Sequence, residues 1–96
     1  GKAMSHEEHR RLFTATMAAL IAEFDGYLQR EGADPYDDSV AYRQTVVWLD
    51  DAELAALIDD FQRLLMARGA NAPSPARAPY VLSTILFPAE GSVLPA

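Results

Sequence analysis

Ninety-six residues, 50% of them hydrophobic and 23% charged, suffice for one small folded domain and no more. The absence of cysteine excludes disulfides, thiolate metal sites and cysteine nucleophiles, and a formal net charge of -6 with a single lysine, Lys2, sets the chain against phosphate backbones. No apolar run approaches the roughly 20 residues of a membrane span and no basic-then-apolar leader precedes the first helix start, so the sequence reads as cytoplasmic, with no membrane partner.

Gly1 to Met4 carries no periodicity and reads as a leftover of cloning. Ser5 followed by Glu8 forms a capping box, and the helix it opens carries Phe13, Met17, Leu20, Ile21, Phe24 and Leu28, each three or four residues from a neighbour on one face, with Leu12 and Tyr27 widening the stripe. Gly32 is the stop signal and Gly26 a possible bend, which gives a helix of about 26 residues, roughly 39 Å long. That exceeds the width of a small domain, so part of the stripe is expected to pack on another chain.

Ala33 to Ser39 (ADPYDDS) reads as a turn. Val40 to Leu49 then alternates as a strand, with Val40, Tyr42, Gln44, Val46 and Trp48 on its aromatic face and Ala41, Arg43, Thr45, Val47 and Leu49 on the other. The strand passes without a loop into a second helix. Asp50 is its N-cap, Glu53 completes a second capping box, and Leu49 and Leu54 hold the positions of a hydrophobic staple. Leu54, Leu57, Ile58, Phe61, Leu64 and Leu65 mark its apolar side, and Gly69 ends it. Ala70 to Pro79 is a proline-rich connector, Tyr80 to Phe87 (YVLSTILF) a second strand apolar on both faces, and 91–96 a flexible tail.

The elements run α-β-α-β within a single domain spanning 5–90, which predicts an α+β fold. Two strands are too few for a stable sheet in water, and the second is a long, uncharged edge, so the sheet is expected to be completed by homodimerisation.

Sites of chemistry are few. HEEH at His6 to His9 lacks the second imidazole one turn on that a metalloprotease helix needs, since position 10 is Arg10, and it reads as surface. Asp34, Asp37 and Asp38 lack the glycine and the acidic twelfth residue of a calcium loop and read as a turn. No phosphate loop, dinucleotide fingerprint or nucleophile elbow occurs, and Ser83 and Thr84 lie in an apolar segment. No metal and no cofactor is expected. Trp48, Tyr42, Tyr80, Phe24 and Met17, with Phe87 beside them and Arg43 or Gln44 as a polar handle, could line an apolar ligand pocket between sheet and helices. The same residues suit core and dimer interface better, the commoner use of aromatic residues at this spacing. No carboxylate or histidine falls on the inward stripes, so the chain reads as no enzyme.

TVVWLDDAELAALIDDFQRLL, the proline-rich spacer and APYVLSTILFP together resemble the C-terminal region of bacterial ArsR-like winged helix-turn-helix transcriptional regulators. The matching residues are Val46 to Leu49, Asp50 to Leu57 and Val81 to Pro88, within a similarity covering 6–90. The resemblance implies a regulatory domain that mediates dimerisation and binds a small apolar effector. DNA would be contacted through a separate winged-helix domain and not by this chain alone. No catalytic residue comes with the resemblance. The rival expectations are a stand-alone protein-interaction module and a small dimeric α/β enzyme with its site between sheet and helices.

Overall fold

The computed structural model describes residues 3–91, so Gly1 and Lys2, and the expected tail beyond Gly91, lie outside the described residues. The chain divides into two units, Gly1–Arg43 and Gln44–Ala96.

The first unit is built on α1, His6–Leu28, of 23 residues. Its start is the predicted capping box: the Ser5 hydroxyl accepts from the Glu8 backbone N–H at 3.1 Å, and the Glu8 carboxylate accepts from the Ser5 N–H at 3.1 Å. These two bonds satisfy donors that a helix start otherwise leaves open. The bond from the Ser5 N–H, then that from its side chain, holds the Glu8 carboxyl below its ordinary range. Glu7 pairs with both Arg10 and Arg11 on the solvent side of the first turns. Gly26 lies inside the helix and does not end it. The helix closes at Leu28, short of the predicted stop, and Gly32 follows in the left-handed region at φ 82°. At 23 residues α1 is roughly 35 Å long.

The second unit is built on α2, Asp51–Gly69, of 19 residues. Asp50 and Glu53 form the second predicted capping box: the Asp50 carboxylate accepts from the Glu53 N–H at 2.7 Å, and the Glu53 carboxylate accepts from the Asp50 N–H at 2.9 Å. Asp51 and Glu53 sit in the first turn and Arg68 in the last, the arrangement a helix dipole favours. Past α2, the Arg77 N–H reaches the Ser74 carbonyl at 3.1 Å, a tight turn in the proline-rich connector.

The α+β expectation is overturned. The described residues hold two helices and no strand, so the architecture is all-helical and neither the α-β-α-β order nor the sheet completed by homodimerisation stands. Val40 to Leu49 and Tyr80 to Phe87 carry no strand ladder, and the backbone bond that ties Val40 runs back to the Pro35 carbonyl, at 2.9 Å. Alternation and β-branching report how side chains suit a pleated surface. A strand exists only where its N–H and C=O groups meet a neighbouring backbone. Among the described residues none is fully buried, and no helix is long and apolar enough to cross a membrane.

Candidate functional site

The six residues singled out from the sequence fall in both units. Met17 and Phe24 stand on α1 two turns apart on one face, Met17 half-buried and Phe24 39% exposed. Tyr42 and Arg43 follow in chain outside any helix or strand, Tyr42 at 88% exposure. Trp48 and Tyr80 belong to the second unit, in the unpaired segments on either side of α2, at 61% and 78% exposure. The expected pocket between sheet and helices loses its sheet wall, because 40–49 and 80–87 are unpaired chain. Phe24 does meet a ring, that of Tyr27, with centroids 6.0 Å apart and planes tilted by 34°.

That contact leads to an arrangement sequence reading did not find. Tyr27, taken as the edge of an apolar stripe, is half-buried and donates its hydroxyl to the Asp38 carboxylate at 2.5 Å. The same carboxylate oxygen accepts from the Asp34 N–H at 3.1 Å, and the Arg30 guanidinium lies 5.7 Å from the Tyr27 ring centroid. Asp34 organises the turn in its own right: its side chain accepts from the Tyr36 and Asp37 N–H groups at 3.2 and 3.3 Å, and its carbonyl from the Asp38 N–H at 2.8 Å. The turn expected at Asp34, Asp37 and Asp38 is present with all three residues exposed, and the carboxylates of Asp34 and Asp38 accept hydrogen bonds within it. Ser39 closes the loop at φ 61°.

The electrostatics of this latch decide what it can do. Partial burial and then the hydrogen bond to Asp38 push Tyr27 up to about 12, while the same bond and the Asp34 N–H hold the Asp38 carboxyl below its ordinary range. The shared hydrogen bond favours the neutral phenol and the ionised carboxylate together, so the pair ties the loop to the last turn of α1. Among the described residues no group of three or more His, Asp or Glu side chains is placed to hold a metal ion. Glu7, Arg10, Arg11, Thr14, Ala15 and Ala18 line a shallow depression, but all six belong to one helix surface, which encloses nothing.

The largest feature left to account for is apolar surface. On α1, Phe13, Ile21 and Leu28 are exposed, Ile21 by 68%. On α2, Leu57, Ile58, Phe61, Leu64 and Leu65 form a continuous stripe, each between 36% and 50% exposed. Among the described residues this apolar surface stays open on both helices. Comparison with protein-family models and with curated proteins gives no match.

Proposed function

We propose that this chain is a self-association domain, a cytoplasmic homodimer that joins the two halves of a transcriptional regulator. The observation that carries the proposal is the α2 stripe, whose Leu57, Ile58, Phe61, Leu64 and Leu65 stand open to contact along the helix. A chain of this size buries too little surface alone to be more than marginally stable, and a second copy supplies what is missing. The regulatory half of the proposal rests on the resemblance carried by Val46 to Leu57 and Val81 to Pro88. Regulators that read two half-sites need a device to hold two DNA-binding heads at a fixed spacing, and dimerisation supplies it. The net charge of -6 keeps such a device off the DNA and leaves phosphate contact to basic heads.

Native mass spectrometry and sedimentation equilibrium test the dimer at micromolar concentration. A species at twice the 10.5 kDa chain mass is expected. A monomer across the micromolar range overturns the proposal. The regulatory role is tested by fusing the chain to a winged-helix head that does not dimerise by itself: cooperative occupancy of paired half-sites is expected, and independent occupancy would refute it.

A further inference from the structure

We infer that the two copies meet through α2 and that the two α2 helices run antiparallel. This rests on the homodimer proposed above and specifies its seam.

Charge along α2 is segregated. Asp50, Asp51, Glu53, Asp59 and Asp60 all precede Phe61, with no basic residue among them, and Arg63 and Arg68 follow it with no acidic one. A parallel pair would set five carboxylates against five, and like charges at close range repel. An antiparallel pair sets Asp50, Asp51 and Glu53 of each helix against the Arg68 end of the other, leaves only Asp59 and Asp60 facing their twins near the axis, and opposes the two helix dipoles as well. The middle of the stripe from Leu54 to Leu65 falls beside Asp60, so a two-fold axis there lays Leu54 and Leu57 of one copy along Phe61 and Leu64 of the other. Arg68 stands seven residues after Phe61, on the same stripe, where an apolar residue would continue the pattern. Across the seam that position meets the helix start of the second copy, with Asp50, Asp51 and Glu53. Arg63 already pairs with Asp59 on its own helix, and the Arg68 side chain reaches the Leu64 carbonyl at 3.2 Å, so Arg68 is the base placed to turn toward a second chain.

α1 has less of this complementarity. Its first half is self-neutralised by Glu7 with Arg10 and Arg11, and its second half is acidic, with Glu23 and Asp25. An antiparallel α1 pair would bring Arg10 and Arg11 toward Glu23 and Asp25, but both arginines already pair with Glu7, so its stripe offers the weaker charge preference for a second copy.

The absence of native cysteine makes the test clean. Asp60→Cys and Ala67→Cys lie on the same flank of α2, outside the apolar stripe and the capping box. In the antiparallel pair Cys introduced at 60 lies beside its twin across the axis, whereas one at 67 is displaced from its twin by about 21 Å along the helices. A short bis-maleimide is therefore expected to link Asp60→Cys into covalent dimers at least tenfold faster than Ala67→Cys. Sedimentation run in parallel separates the two levels of the argument. A dimer in which both positions link equally, or in which Ala67→Cys links faster, or in which neither links, overturns the antiparallel seam and leaves the homodimer standing. A monomer overturns both. The dimer dissociation constant of the parent chain is also expected to rise severalfold as salt is raised to about 0.5 M, where charges are screened beyond a few ångströms. A constant unchanged by salt counts against the charge argument.

Discussion

Truncating Phe61 is the most direct quantitative test of the α2 stripe. Phe61 is 42% exposed, and Phe carries roughly 200 Å² to bury, so about 80 Å² of each copy is open to be covered in the proposed dimer. At about 25 cal/mol per Å², Phe61→Ala forfeits about 2 kcal/mol in each copy and about 4 kcal/mol per dimer. At about 1.4 kcal/mol per tenfold, the dissociation constant rises roughly a thousandfold. Sedimentation equilibrium over a concentration series reads this directly, and far-ultraviolet circular dichroism confirms that the variant keeps its helices. Met66→Ala is the control: Met66 is 75% exposed on the same helix but lies off the stripe, and its truncation is expected to shift the constant by less than about threefold. The reasoning fails if the two variants weaken the dimer equally, or if Phe61→Ala changes the constant no more than the control is allowed to.

Three further outcomes follow from local geometry. Ser5→Ala removes one bond of the first capping box and is expected to lower the stability of α1 by about 1 kcal/mol, seen as faster amide exchange at Glu8, whose N–H the hydroxyl accepts. Tyr27→Phe frees the 34–39 loop and removes the phenol that titrates near 12 in an ultraviolet titration of the parent chain. Because the fold lowers the Asp38 carboxyl, the latch's contribution is complete above the ordinary value of 3.8 and is lost as pH falls through the folded value; because it raises Tyr27, the contribution is complete below 10.0 and is lost as pH rises through about 12. Carbon chemical shifts of the 34–39 loop that stay flat with pH outside that window would contradict this. Gly26→Ala and Gly32→Ala should move stability in opposite directions by about 1 kcal/mol each, since both sites have open space for a methyl group but Gly26 is helical and Gly32 sits at φ 82°. Thermal melts that shift the same way for both would refute it.

What was legible in the sequence is what neighbours in sequence decide. Ser5 with Glu8 and Asp50 with Glu53 satisfy backbone groups three residues away, and both capping boxes lie where the spacing places them. Val46 to Leu49 and Tyr80 to Phe87 have strand composition, yet pairing depends on a backbone that no local pattern specifies, and the described chain there is unpaired. The Tyr27–Asp38 bond spans eleven residues across a turn, beyond what helical or strand periodicity encodes. A signal existed: an aspartate-rich turn directly after a helix leaves many acceptors near the last helical donors, and a tyrosine in the final turn is the side chain able to reach one. Of the proposed ligand residues, four are aromatic, but composition could not assign the six to one surface, and Tyr42, Trp48 and Tyr80 stand in unpaired chain.

The two capping boxes also set an order of events in time. Each start signal lies within its own helix, and at 23 and 19 residues both helices exceed the length of about 12–15 at which an isolated helix is marginal. Helix formation then runs on a timescale of about a microsecond and owes nothing to chain concentration, while assembly of two copies is second order. Refolding should therefore separate into a fast phase in helical signal, independent of concentration, and a slower one whose rate rises with the amount of chain. Encounter between copies, and not the making of helices, would govern how quickly the protein becomes functional after synthesis.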